Sequence, residues 1–183
     1  MKRAATNRAD MAPMRSGVFH HTPALLRKLW EERSMSNVTV REACKDDFQQ
    51  WEPLWDDYTR FYEREPDAKI TAMLWDRAFD PYEPIHILVA EMDGRIVGIV
   101  HYLYHRSTSL IAPVCYLQDL FTEQGLRGKG VGRALIEAVY ARAQEAGAAR
   151  VYWMTHETNA TAMKLYDNIA EKSGFLQYRK NLT

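Results

Sequence analysis

Apolar side chains recur along this chain at two periods, and each switch between them marks a new element. Val38–Arg41 alternates apolar with polar residues, the period-2 signature of a short strand. Residues 46–64, DDFQQWEPLWDDYTRFYER, change to helical spacing, with Phe48, Trp51, Trp55, Tyr58, Phe61 and Tyr62 behind an acidic start. Pro53 either kinks this helix or marks its true first turn. A second helix is predicted over AKITAMLWDRAF, with Ile70, Met73, Leu74 and Ala78 on one face. The aromatic stripe of these two helices reads as core more readily than as a ligand platform.

The stretch HILVAEMDGRIVGIVHYLYH then joins two β-rich runs through Asp93-Gly94, a dipeptide suited to a tight type I′ hairpin. VCYLQDLFT is a further strand. The helix that follows carries Val131, Leu135, Ala138 and Val139 on one face and ends at Gly147. ARVYWMTH predicts another strand, and ETNATAMKLYDNIAEKS a helix capped by Thr158 or Asn159. Gly174 stops that helix and FLQYRKNL closes the chain as a last strand. Antiparallel strands first and strand–helix units later define a mixed α/β sheet.

Length and composition narrow the class. A chain of 183 residues that is 46% hydrophobic supports one domain with a good core. Lys plus Arg and Asp plus Glu number 24 each, with no long basic run, so nucleic acid is not an expected partner. No apolar stretch approaches the roughly 18–20 residues of a membrane span. Cys44 and Cys115 are far apart and form no CxxC pair, which disfavours a disulfide framework or a zinc site, so no metal is expected and a cytoplasmic location fits. Residues 1–34 lack the periodicity of the rest. They read as an N-terminal extension before a domain spanning 35–183, with PALLRKLWEER able to form a short amphipathic helix and Met35 a plausible start.

The most informative segment is EQGLRGKGVGRAL, residues 123–135, where four glycines and three basic residues lead into an apolar helix. A Walker loop needs Ser or Thr after its GK, and Lys129 is followed by Gly130. The dinucleotide fingerprint GxGxxG also fails on spacing. What remains is a strand, Arg127-x-x-Gly130-x-Gly132, and a helix. Glycines at 128, 130 and 132 let the backbone approach a ligand closely, and a helix N-terminus adds roughly half an elementary charge. Arg127, Lys129 and Arg133 add whole charges, completing a cradle for a pyrophosphate.

Arg127-x-x-Gly130-x-Gly132 after an apolar strand resembles the coenzyme A-binding motif of the GNAT N-acetyltransferase superfamily. The resemblance runs from about Val38 to Leu182. It is strongest over YLQDLFTEQGLRGKGVGRALI, followed by NATAMKLY and GF in order. It implies a mostly antiparallel central sheet flanked by helices, with a V-shaped splay between strands 114–122 and 149–155. It further implies acetyl-CoA as cosubstrate, with Leu120, Phe121 and Thr122 along the pantetheine arm. Gly128, Lys129, Gly130, Val131, Gly132 and Arg133, with Arg127, would hold the pyrophosphate. Asn159 and Ala162 would line the same channel, and Tyr166 would aim its hydroxyl at the sulfur. A homodimer through C-terminal strands is implied as well. Two departures stand out: Thr122 replaces the usual Val, and Tyr166 is separated from Gly174-Phe175 by about one extra helical turn.

Acetyl transfer to an amine requires loss of a proton from nitrogen, stabilisation of an oxyanion and protonation of the leaving sulfur. Asp119 and Glu123 are the nearest carboxylates to the cofactor strand, and a water chain is an equal contender for base. Strict alternation puts both on the face of Phe121, unless a bulge intervenes. The oxyanion would meet a backbone N–H near Leu120 or Phe121, and Tyr166 suits the acid. YLQDLF also resembles the diamine and polyamine acetyltransferase branch, although Gln118 stands where an acidic pair would begin. Glu63, Glu65 and Asp67 either attract a cationic amine or form a solvated loop. His156 and Cys115 read as structural. The expected activity is therefore acetyl transfer to a primary amine, with a small-molecule acceptor first and a protein lysine or N-terminus second. A non-catalytic acyl-CoA sensor is the rival class, and the presence of both Tyr166 and the glycine motif speaks against it.

Overall fold

The computed structural model describes residues 38–182, so the N-terminal extension and its boundary at Met35 lie outside the described residues. Nine elements follow in order: β1 (Val38–Glu42), α1 (Phe48–Phe61), α2 (Ala68–Ala78), β2 (Ile85–Met92), β3 (Arg95–His105), β4 (Val114–Thr122), α3 (Val131–Glu145), β5 (Val151–Tyr152) and α4 (Ala160–Ile169). The strands form one sheet in chain order, antiparallel from β1 to β4, with β5 parallel to β4. Asp93 and Gly94 both take positive φ, 52° and 75°, as the two central residues of a type I′ turn require.

Each face of the sheet carries its own core. On one side α3 buries Val131, Leu135, Ile136 and Val139 against Val97, Val100, Cys115 and Leu117. On the other, α1 and α2 pack Trp51, Leu54, Trp55 and Trp75 over Ile87, Val89, Ile99 and Phe121. Gly98 permits the first contact. A Cβ there would come within 2.9 Å of the Val131 side chain and 3.2 Å of the Phe121 carbonyl. Its absence lets the first turn of α3 sit directly on β3.

Several sequence expectations are corrected by packing. In α2 the buried residues are Thr71 and Trp75, while Ile70 and Met73 are exposed. Trp75 sets this rotation, because its ring packs against Phe48, Trp51 and Phe79 with centroids 5.4, 4.7 and 5.0 Å away. An indole offers more apolar surface to bury than Ile or Met, so it takes the inward position. Pro53 lies inside α1 on its exposed side, with the buried Leu54 and Trp55 immediately after it. Phe61 and Tyr62, expected on the core stripe, are exposed at the end of α1.

The last part of the chain departs furthest. β5 has two residues instead of eight, α4 ends at Ile169, and 175–182 forms no strand. A strand depends on a neighbour for its hydrogen bonds, and nothing within the described residues runs beside this segment. Phe175, Leu176, Tyr178 and Leu182 are at least 81% exposed.

Candidate active site

β4 organises the site by leaving both of its neighbours at chosen points. Its pairing with β5 is confined to Cys115–Val151 and Tyr116–Tyr152, so the two strands diverge over the remainder of β4. This is the expected splay. Its pairing with β3 shifts by one residue between His101–Asp119 and Tyr102–Leu117, leaving Gln118 as the extra residue of a bulge. Cys115 and Leu117 face the α3 core, whereas Phe121 faces α1. The bulge makes that switch, and it turns Asp119 toward α1 as well, where it meets Tyr58.

An open groove of about 470 Å³ occupies the splay. Leu120, Phe121 and Thr122 form one wall, and Asn159, Ala162, Leu165 and Tyr166 the other. Arg127, Gly128, Gly130, Gly132 and Arg133 close one end, and Tyr58, Phe61 and Tyr62 supply aromatic surface. Arg127 lies 5.3 Å above the Phe61 ring, tying the glycine loop to the end of α1 by a cation–π contact.

The glycine loop has the backbone that an anion cradle requires. Gly128 and Gly130 take φ of 81° and 86°, the left-handed region open to residues without a Cβ. Gly130 caps α3, and the first bond of that helix runs from the Ala134 amide to the Gly130 carbonyl. The amides of Val131, Gly132 and Arg133 therefore precede the helical ladder and have no backbone acceptor among the described residues. Val131 itself is buried, so only its backbone could meet a ligand. Lys129 is exposed and does not line the groove, while Arg133 also reaches Glu137 at 3.5 Å. These residues fit a pyrophosphate.

On the opposite wall Asn159 is the cap of α4, accepting from the Ala162 amide at 3.4 Å; of the two candidate caps it is the one used. Tyr166 follows two turns later on the same face. Its ring packs on Trp153, and burial, with a smaller push from Tyr62, raises its phenol to a pKa of about 12. No described group hydrogen-bonds its hydroxyl.

The two candidate bases part company. Asp119 accepts from the Tyr58 hydroxyl at 2.5 Å and sits 3.0 Å from His101 Nδ1, with 11% of its side chain exposed. Glu123 lies beyond the end of β4 and pairs with Arg95 at 2.7 Å. Neither lines the groove itself. Sequence reasoning missed Tyr58 and His101 as partners of Asp119. Only the bulge brings them together, and a bulge has no reliable signature in a single chain. Cys115 is buried, and burial raises its thiol to about 11, in keeping with a structural role.

The site is thus a groove at the β4–β5 splay, beside a glycine-capped helix. The profile of the acetyltransferase (GNAT) family matches residues 48–170, and the chain belongs to that family. The D-amino-acid N-acetyltransferase HPA3 of Saccharomyces cerevisiae is 32% identical over 153 residues, which cover 82% of this chain and 95% of the yeast protein. Among solved structures, a ribosomal-protein-alanine N-acetyltransferase from Brucella melitensis biovar Abortus 2308 superposes with a TM-score of 0.68. It is 21% identical, over 80% of this chain and 99% of its own. An aminoglycoside acetyltransferase from an uncultured soil metagenomic sample, in complex with sisomicin, gives 0.67 at 18% identity, over 80% and 97% of the two chains. At such identities these two structures speak for the fold. The chain is thus an acyltransferase of the GNAT family with a mixed, mostly antiparallel sheet. Among the described residues no helix is long and apolar enough to cross a membrane.

Proposed function

We propose that this protein transfers the acetyl group of acetyl-CoA directly to a primary amine of a small molecule, with amino acids as the first acceptors to consider. The observation that carries this reading is the splay of β4 from β5, with glycine-loop amides at one end and on its wall the Tyr166 hydroxyl, unpartnered among the described residues. The yeast relative, named for acetylation of D-amino acids, supports an amino-acid acceptor over an aminoglycoside.

Acetyl-CoA, when bound, supplies an activated thioester. The amides of Gly130 to Arg133, with Arg127 and Arg133, hold its pyrophosphate, and Lys129 adds charge from outside the groove. Leu120, Phe121 and Thr122 offer strand backbone to the pantetheine arm, and an amide near Leu120 or Phe121 meets the oxyanion. Tyr166 gives its proton to the leaving sulfur. Of the two carboxylates Asp119 is the better base, because its partner Tyr58 lines the groove whereas Arg95, the partner of Glu123, does not.

The exposed apolar side chains of 175–182 favour a homodimer in which this segment adds to the partner's sheet, and the two free cysteines suit a reducing cytoplasm. The test of function is release of free CoA thiol with a panel of L- and D-amino acids, putrescine, spermidine and aminoglycosides. Saturable turnover with an amino acid is expected. Absence of turnover with every amine would overturn the reading.

A further inference from the structure

A chain of hydrogen bonds runs from the core to the groove through four side chains on three elements. Trp51 Nε1 on α1 donates to His101 Nε2 on β3 at 3.0 Å. His101 Nδ1 faces Asp119 Oδ2 on β4 at 3.0 Å, and the Tyr58 hydroxyl on α1 donates to Asp119 Oδ1 at 2.5 Å. An indole N–H can only donate, so Nε2 must accept and the imidazole proton resides on Nδ1, directed at the carboxylate. Trp51 and His101 are 0% and 1% exposed. Both carboxylate oxygens are occupied, and of the four side chains only Tyr58 lines the groove.

We propose that Tyr58 carries the proton of the acceptor amine to Asp119, and that His101, fixed by Trp51, is the positioning residue that holds Asp119 for it. The inference rests on the reading of the groove as the acetyl-transfer site. The ammonium first gives one proton to Tyr58 Oη as the proton of Tyr58 moves to Asp119 Oδ1; the freed amine then bonds to the acetyl carbon, and its second proton passes to water as the amide forms. The carbon–sulfur bond breaks with its electron pair on sulfur, which takes the proton of Tyr166. Asp119 ends with one proton more and Tyr166 with one fewer, and exchange with water through the open groove restores both.

Other ionisable groups face this carboxylate. Tyr62 at the end of α1 and Tyr116 on β4 are raised in pKa by burial and then by the charge of Asp119. Tyr58 is raised by the same two causes in the same order, and Arg64 opposes the rise at Tyr58 and Tyr62. All three phenols keep their protons near neutrality, so a hydroxyl at position 58 is available to relay.

Tyr58→Phe tests the relay, since it removes one oxygen and retains the ring packing. The expected loss is about 100-fold in kcat, within the range of general acid–base contributions, with acetyl-CoA affinity by calorimetry within about twofold of wild type. The pH profile separates relay from packing. In the variant the amine must lose its proton to solvent, so kcat keeps rising toward the amine's own pKa, about 10.4 for a lysine-like group. The wild type should level off at lower pH. Independently of activity, nitrogen-15 spectra of the histidine side chains should show His101 protonated at Nδ1. Superimposable pH profiles, or a folded variant with more than half of wild-type kcat, would overturn the relay, and an Nε2–H tautomer would overturn the role of His101. Failure of the wild type to acetylate any amine would instead remove the underlying reading, and the relay with it.

Discussion

The rings of Trp153 and Tyr166 pack edge to face, with centroids 5.3 Å apart and planes inclined by 67°. This contact joins the segment leaving β5 to the helix that walls the groove, and so sets where the phenol points. Tyr166→Phe keeps the ring and the contact and removes only the hydroxyl. We expect kcat and kcat/KM to fall together by about 100-fold, with acetyl-CoA binding and melting temperature unchanged. Because burial pushes the phenol up to about 12, its acid form persists through neutral pH and is lost only as pH rises through that value. Tyr166 should therefore contribute no basic limb to the rate profile below about pH 11. Retention of more than half the turnover by the folded variant would assign the proton to water.

Gly130 combines a φ of 86° with the cap position of α3. Gly130→Val places a branched side chain where left-handed backbone costs an ordinary residue roughly 1–2 kcal/mol, a cost that the two cores on either side of the sheet can absorb. The same side chain blocks close approach to the amides of the first turn. Calorimetry should show at least a tenfold loss of acetyl-CoA affinity in a protein that still melts cooperatively. Near-normal binding would move the pyrophosphate elsewhere.

Asp47 reports on acid stability. Arg41 donates to both of its oxygens at 2.6 and 2.9 Å, and the Cys44 amide adds a third bond at 2.8 Å. The Arg41 hydrogen bonds lower its pKa from 3.8 to about 2, against the opposing effect of burial. The folded value lies below the unfolded one, so this stabilisation is complete above about pH 4 and is lost as pH falls through about 2. It amounts to up to about 2 kcal/mol at low salt, less where salt screens the partly exposed Arg41. Asp47→Asn should lower the denaturation midpoint at pH 7 and flatten its change between pH 5 and pH 2. A variant with the wild-type acid profile would show that other carboxylates govern it.

The C-terminal segment predicts a self-association measurable by sedimentation. Phe175 and Tyr178 are 91% and 92% exposed, and a charge at either position opposes burial in a partner's sheet. The wild type should sediment as a dimer at micromolar concentration, and the double variant Phe175→Asp, Tyr178→Asp as a folded monomer. A monomeric wild type would leave the segment without that role.

Local chemistry was enough to read much of this protein from its residues. Asp93-Gly94 dictates its turn because few residues accept positive φ twice in succession. Gly128 and Gly130 mark an unusual backbone for the same reason, and the i, i+4, i+7 spacing of Trp51, Trp55 and Tyr58 places α1 against the sheet. Other features depended on which surfaces meet in three dimensions. Trp75 rotates α2 away from the face suggested by Ile70 and Met73, since the larger ring gains more by burial. Residues 175–182 have the composition of a strand but no neighbour to pair with among the described residues, and hydrogen bonds between strands cannot form within one. Asp119 looked equivalent to Glu123 by alternation. The bulge at Gln118 turned it toward Tyr58 and His101, side chains 61 and 18 residues away in sequence, while Arg95 claimed Glu123. Such pairings arise from sheet register and helix placement, which depend on the whole core at once, so no local run of residues encodes them.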